Sequence, residues 1–172
     1  MPELPEVEVV RRGIDAWATK RTISGVDVLH ARSIRRCEGG AAELRTALKG
    51  DSFRCASRRG KYLWLPLAGA KDQALVVHLG MSGQVLMQPP SEAEETHLRV
   101  RVCFADDDRE MRFVDQRTFG GMHVDEVIDG VPSSITHIAR DPLDPDFDDA
   151  ATVLAIRHKD SEVKRVLLDQ SV

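Results

Sequence analysis

No stretch of this sequence approaches the roughly 18 consecutive apolar residues that a membrane-spanning helix needs, and no basic segment followed by an apolar one opens the chain. A cytoplasmic protein without a membrane partner is the expectation. Cysteine is scarce: Cys37, Cys55 and Cys103 are odd in number and far apart, which suits neither a disulfide scaffold nor a four-ligand zinc site. No metal is expected within this chain. Positive charge is not in surplus either, since 24 Lys and Arg stand against 28 Asp and Glu for a net charge of −4. That balance argues against a simple polyelectrolyte DNA binder, although a net figure hides local patches. Repeats and low-complexity tracts are absent, and the acidic runs Glu92 to Glu95 and Asp106 to Asp108 read as solvated turns.

What is present is an ordinary water-soluble composition in 172 residues, enough for one domain or one domain plus a fragment. Pro5 suits the first position of a helix, and Val7, Val10, Ile14 and Trp17 recur at helical spacing, so a helix is predicted from Pro5 to Thr19 with Val10, Ile14 and Trp17 on its buried face. Ile23, Val26 and Val28 read as a strand, and Ala41 to Leu48 as a short helix ended by Gly50. From Ser52 to Val124 the texture is strand after strand: Lys61 to Leu67, Ala74 to Leu79, Gln84 to Met87, His97 to Phe104, Glu110 to Asp115 and Gly120 to Val124. Beyond Gly130-Val131-Pro132 the period becomes helical, with Ser133 to Ala139, Asp149 to Lys159 and Glu162 to Gln170 as helices and a proline-punctuated link over Arg140 to Asp146. The fold class is therefore α+β. An N-terminal β-sandwich with a long N-terminal helix fills residues 1–130, and an incomplete helical domain fills 131–172.

The chain start is chemically unusual. Met1 precedes Pro2, a small residue after which an initiator methionine is commonly removed, and removal leaves a secondary amine at the terminus. An α-amino group titrates near ~8, so a useful fraction is neutral and nucleophilic at physiological pH. Attack on an aldehyde-like carbon gives an iminium ion, with Glu3 and Glu6 within reach as acid, base or ammonium partner. The plainer reading is that Pro5 and the glutamates only start a helix. Arg58-Arg59-Gly60-Lys61 gathers three cations that could hold phosphates or form a solvated strand end. Met81, between Gly80 and Gly83, is either a core filler or an exposed wedge, and Arg117 with Phe119 before Gly120-Gly121 could project into a ligand.

Pro2-Glu-Leu-Pro-Glu-Val-Glu8, Arg58-Arg-Gly-Lys-Tyr-Leu63, His78-Leu-Gly-Met-Ser-Gly83 and Asp115-Gln-Arg-Thr-Phe-Gly120 occur in this order, and together they resemble bacterial formamidopyrimidine-DNA glycosylase over essentially the whole chain. The resemblance implies a bifunctional base-excision repair enzyme that removes oxidised purines such as 8-oxoguanine from duplex DNA and nicks the strand by β,δ-elimination. Pro2 would be the Schiff-base nucleophile, Glu3 the acid that opens the sugar, Lys61 a proton donor and phosphate contact, and Glu6 a supporting group. Met81, Arg117 and Phe119 would fill the vacated stack, with Arg117 facing the orphaned cytosine. His97, Lys159 and Lys164 match DNA-contact positions, although the basic run of relatives is here His158-Lys159-Asp160. A monomer acting on duplex DNA with an oxidised purine or an abasic site is implied, with no cofactor in this chain.

Departures from the family pattern accompany the likeness. Relatives continue through the rest of a helix-two-turn-helix domain to a four-cysteine zinc finger, and this chain is expected to stop before the end of the first and to lack the second. Thr118 stands where many relatives carry an arginine. A retained Met1 would make the Pro2 nitrogen an unreactive amide. Rival readings are the endonuclease VIII group, against which Leu4 argues where that group typically has glycine, the tautomerases with their N-terminal proline, and a non-catalytic DNA-binding remnant.

Overall fold

The computed structural model describes residues 2–142 and 144–172. Met1, whose removal the chemistry above requires, and Leu143, within the Arg140 to Asp146 link, lie outside the described residues. The chain opens with helix α1, Leu4–Trp17, followed by strand β1, Ile23–Val28, a 3-10 turn at Ala31–Ile34 and helix α2, Gly40–Leu48. Strands β2 Ser57–Arg59, β3 Tyr62–Pro66, β4 Gln73–His78, β5 Gln84–Gln88, β6 Leu98–Phe104, β7 Glu110–Val114, β8 Gly121–Ile128 and β9 Val131–Pro132 come next. A 3-10 turn at Ser133–Ile135 and helices α3, Asp149–Arg157, and α4, Val163–Leu167, complete the described elements. No described helix is long and apolar enough to cross a membrane.

The strands form two antiparallel sheets, ordered β1-β6-β7-β5 and β2-β3-β4-β8-β9. Val100, Val102, Phe104, Met111 and Phe113 from the first sheet meet Leu63, Leu65, Leu75, Val77 and Met122 from the second in one core. Along β6 buried and half-buried residues alternate strictly, as expected for a strand with one dry face. Strands β3 and β4 instead carry continuous buried runs. Their outer face is also covered, because Trp64, Ala74 and Val76 pack under Ile135 and Ile138.

Each open side of the sandwich is closed by a helix. Helix α1 lies against β5 and β2, the strands that end the two sheets on that side, while α2 lies against β1 and β8. Covering an edge strand removes a template for pairing with other chains. The buried stripe of α1 runs through Val7, half-buried Val10 and Ile14 to Ala18. Trp17 departs from the prediction: it is 48% exposed, and the Arg109 guanidinium lies 4.3 Å above its ring. Ala18 rather than Trp17 continues the stripe beyond Ile14, and the Trp17 ring at its flank serves as a cation–π platform.

Other differences have local causes. The helix expected over Ser133 to Ala139 is only a 3-10 turn, because Ser133 Oγ donates to Asp125 Oδ1 at 2.6 Å and the Ser134 N–H to Oδ2 at 2.8 Å. Side-chain bonds of this kind compete with helical ones. Helix α4 stops at Leu167, and Gln170 beyond it accepts from the Ala139 N–H at 2.7 Å. The acidic runs are exposed turns, as expected, and some of their members are also paired. Arg112, only 1% exposed, donates to Glu110 at 2.6 Å, to Glu95 at 3.2 Å and to the carbonyls of Ala93 and Glu92 at 2.9 and 3.0 Å. It thereby straps the β5–β6 loop onto the sheet, and a buried guanidinium is tolerated because its donors are so fully used. Glu94 pairs with Arg101 and Asp106 with Arg21.

One ion cluster fixes the helix start. Glu8 accepts from Arg11 at 2.9 Å, from Arg12 at 3.0 Å and from Arg58 at 3.2 Å. The hydrogen bonds from Arg11 first, then from Arg12 and Arg58, outweigh burial and hold its carboxyl at about 2 against an ordinary 4.5. A depressed carboxyl stabilises the fold fully above its unfolded value and loses that contribution as the pH falls through the folded one. Glu8→Gln should therefore cost about 1–3 kcal/mol at pH 7, and its deficit against the unsubstituted protein should shrink between pH 4.5 and 2, as read by urea midpoints across that range.

Candidate active site

Pro2 is half-buried just before α1, and Glu3 is the residue that caps the helix. Glu6 accepts from the Glu3 N–H at 3.0 Å, so the first turn holds the chain start in a fixed direction. Across from it the β2–β3 turn carries Gly60 at φ +54, where a Cβ would fall 2.8 Å from Gln170 Oε1 and 3.0 Å from Ile138 Cγ2. Only glycine fits a turn pressed so closely beneath the C-terminal segment. The same Gln170 Oε1 accepts from the Lys61 N–H at 3.1 Å. That clamp presents Lys61 Nζ to Glu3 Oε2 at 2.6 Å. The three-cation cluster is thus divided: Arg58 is spent on Glu8 and, at 2.7 Å, on Asp141, and Lys61 alone turns to the chain start.

Met81 and the Arg117–Phe119 pair lie on neighbouring loops, β4–β5 and β7–β8. Met81 is 39% and Phe119 43% exposed, with the Arg117 guanidinium 5.0 Å above the Phe119 ring. Neither apolar side chain is a core filler. The loops touch backbone to backbone, since a Cβ on Gly80, whose φ is +64, would sit 2.4 Å from the Gly120 nitrogen. Thr118 takes the left-handed φ of +54, which turns the chain so that Arg117 and Phe119 share one side. Arg35 fastens the far end by donating to the Phe119 and Gly120 carbonyls at 2.9 and 2.8 Å.

Pro2, Glu6 and Met81 line one open cleft of about 400 Å³, together with Ser82. Glu3 and Lys61 border a hollow of about 300 Å³ whose other walls come from Thr152 and Ile156 of α3, Leu167 at the end of α4, and residues before α3 and after α4. Arg117 and Phe119 are not in the cleft wall, but the Arg117 N–H donates to Ser82 Oγ at 3.2 Å. His97 stands at the start of β6, its ring 3.3 Å from Arg99 and its carbonyl accepting from Asp115. Lys159 pairs with Asp169 at 2.8 Å, on the rim of the Glu3–Lys61 hollow. With Ser171 it holds the Asp169 carboxyl below the carboxylate range. Lys164 is exposed on α4 and is not drawn to the chain start. Among the described residues no three His, Cys, Asp or Glu side chains gather as a metal site.

Sequence reasoning passed over Ser82, Asp115 and Arg35. Asp115 is completely buried and accepts from Ser82 Oγ, the Arg117 N–H and the Gly120 N–H at 2.6, 3.1 and 2.8 Å. An aspartate at the head of a turn is a local signal, whereas the bond to Ser82 joins positions 33 apart in sequence and leaves no trace in spacing. His78 was quoted only within a motif. Its Nδ1 accepts from the Gly80 N–H at 3.2 Å, and burial, then Arg36, Arg35 and Lys61, pushes its pKa down.

The helix-closed antiparallel sandwich carries a Pro-Glu start, a lysine facing that glutamate and paired methionine and arginine–phenylalanine loops, and this domain has known counterparts. Residues 1–122 match the model of the formamidopyrimidine-DNA glycosylase N-terminal domain. The chain belongs to the formamidopyrimidine-DNA glycosylase family. It is 58% identical to the formamidopyrimidine-DNA glycosylase of Streptomyces avermitilis, covering all of this chain and 60% of that one. It is 56% identical to that of Salinispora tropica, covering all of this chain and 59% of that one. Among solved structures, a complex of Lactococcus lactis Fpg with DNA containing an abasic site superposes with a TM-score of 0.82 at 26% identity, over 99% of this chain and 61% of that one. A complex of the same enzyme with DNA containing Fapy-dG gives 0.81 at 27% identity, over 98% and 62%. The chain thus spans about 60% of the length of the curated relatives it matches.

The close approach of the two loops makes a checkable demand. Gly80→Ala places a Cβ inside the Gly120 backbone at an unfavourable φ and should cost about 1–3 kcal/mol in denaturant unfolding. Gly13→Ala, in mid-helix with nothing within 4 Å of the new Cβ, should be neutral or stabilising by up to about 1 kcal/mol.

Proposed function

We propose that this chain is the catalytic part of a bifunctional DNA glycosylase and abasic-site lyase of base-excision repair, acting on oxidised purines in duplex DNA. The observation that carries the reading is the Lys61–Glu3 pair at 2.6 Å beside the Pro2 start, with Met81 and Phe119 exposed on adjoining loops. Once Met1 is removed, the Pro2 amine lone pair forms a bond to the sugar C1′ and the damaged base leaves with the electrons of its glycosidic bond. The proton shed by the Pro2 nitrogen passes to the departed base, Glu3 gives its own proton to the ring oxygen as the C1′–O bond opens, and an iminium ion remains between Pro2 and C1′. Lys61 sits where a proton can pass to and from Glu3 without crossing solvent, and its charge suits a neighbouring phosphate. Loss of a C2′ proton then expels the 3′-phosphate, loss of the C4′ proton expels the 5′-phosphate, and water hydrolyses the remaining imine to release the sugar remnant from Pro2. Glu6 supports the site by fixing the direction of the chain start.

Extruding a nucleotide costs a few kcal/mol of stacking and pairing, so something must occupy the hole. Met81 and Phe119 supply apolar surface, and Arg117, with donors and no acceptor, suits the acceptor edge of an orphaned cytosine. Duplex DNA is the proposed partner; the Lactococcus lactis relatives were solved bound to abasic-site and Fapy-dG DNA. His97, Lys159 and Lys164 are proposed as phosphate contacts. We further propose a division at residue 130, with 131–172 as the start of a helix-two-turn-helix domain, a monomeric cytoplasmic protein, and no cofactor in this chain, the zinc of full-length relatives residing in their C-terminal finger.

Borohydride reduction with an abasic duplex tests the nucleophile. Demethionylated protein should carry the DNA adduct on its N-terminal peptide, whereas an adduct on Lys61 would reassign the role. Glu3→Gln should slow base removal by about 100-fold or more, while strand nicking at a preformed abasic site persists because that reaction needs no glycosidic bond broken.

A further inference from the structure

We propose that Ser82 and Asp115 form a strut that makes the Met81 loop and the Arg117–Phe119 loop a single rigid unit, Asp115 being a positioning residue for the wedge. The functional meaning rests on the wedge reading above; the mechanical statement does not. Asp115 is 0% exposed, and a carboxylate so deep requires its lone pairs to be filled. Its Oδ2 accepts from the Gly120 N–H at 2.8 Å, while Oδ1 accepts from the Arg117 N–H at 3.1 Å and from Ser82 Oγ at 2.6 Å. The single hydroxyl hydrogen of Ser82 is thereby committed. Its oxygen is left to accept the Arg117 N–H at 3.2 Å, so the serine grips both the carboxylate and the backbone of the opposite loop.

Two features make the grip stiff. Gly80 and Gly120 meet without room for a Cβ, which stops the loops from closing further, and the hydrogen bonds stop them from parting. The strut is also anchored in the sheet. The Asp115 N–H donates to the His97 carbonyl at 3.0 Å, and its carbonyl accepts from Arg99 Nε at 2.8 Å. Met81, next to Ser82, thus keeps a set distance from Arg117 and Phe119, the spacing that a gap filler and an orphan-base contact must hold together. If Asp115 merely capped its own loop, Ser82 would be dispensable.

The test uses the chain with 13C-labelled methionine methyls. Ser82→Ala should add relaxation dispersion at the Met81 methyl, and Ser82→Thr, which keeps the hydroxyl, should remove it. Asp115→Asn should speed amide exchange at Gly120 about tenfold or more and loosen Met81 as well. A Met81 methyl that ignores Ser82→Ala, or one that stays rigid while Gly120 exchange rises in Asp115→Asn, would overturn the strut. On duplexes holding a stable abasic analogue opposite cytosine or adenine, Ser82→Ala should lower the preference for cytosine by about threefold to tenfold, with Ser82→Thr restoring it. Should the unsubstituted protein show no such preference, the wedge reading fails while the methyl and amide measurements still decide the strut.

Discussion

The arrangement of the chain start depends on one guanidinium. Arg58 reaches Glu8 on α1 with one nitrogen and Asp141 in the C-terminal segment with another, joining positions 50 and 83 residues away from it. It also donates to the Gly60 carbonyl at 3.1 Å, fixing the turn that carries Lys61. Pro2 and Glu3 precede the helix that Glu8 anchors, and Gln170 closes on the same turn from the other side. The 2.6 Å meeting of Lys61 with Glu3 is therefore the product of a network that ties α1, the β2–β3 turn and the C-terminal segment together. Desolvating such charges is costly, and the arrangement persists because almost every donor has an acceptor.

The net charge of −4 conceals how the cations are used. Arg21, Arg58, Arg101 and Arg112 are each turned inward onto carboxylates, so they fasten loops to sheets. Arg117 is one that is not: it is exposed, and its side chain leans on an aromatic ring. A tally of charge along the sequence cannot separate the two kinds. Nor does such a tally show that the solvated acidic turns hold partners distant in sequence, Glu94 with Arg101 and Asp106 with Arg21.

The fold was legible where burial has a period. Strand β6 alternates and was found nearly to the residue, and β3 and β4 were found as apolar runs. Strand β2 was missed because Arg58 and Arg59 carry no apolar signal, and β9 because two residues carry none at all. Trp17 misled through its size, since Ala18 rather than the ring continues the buried stripe. At the candidate site, motifs single out Pro2, Glu3, Lys61, Met81, Arg117 and Phe119. The groups that hold them, Ser82, Asp115 and Arg35, act across loops, and only tertiary structure brings loops together.

The placement of α1 bears on when reactivity can arise during folding. The helix rests on β2 and β5, segments some tens of residues downstream, so its docking is a contact of high sequence separation whose loop-closure entropy is offset only after both sheets exist. A chain whose α1 has not docked holds its first residues away from Lys61 and from the Met81 cleft. The surroundings of the chain start are thus a tertiary property of this molecule, set by how α1 packs on β2 and β5 rather than by the terminal residues themselves.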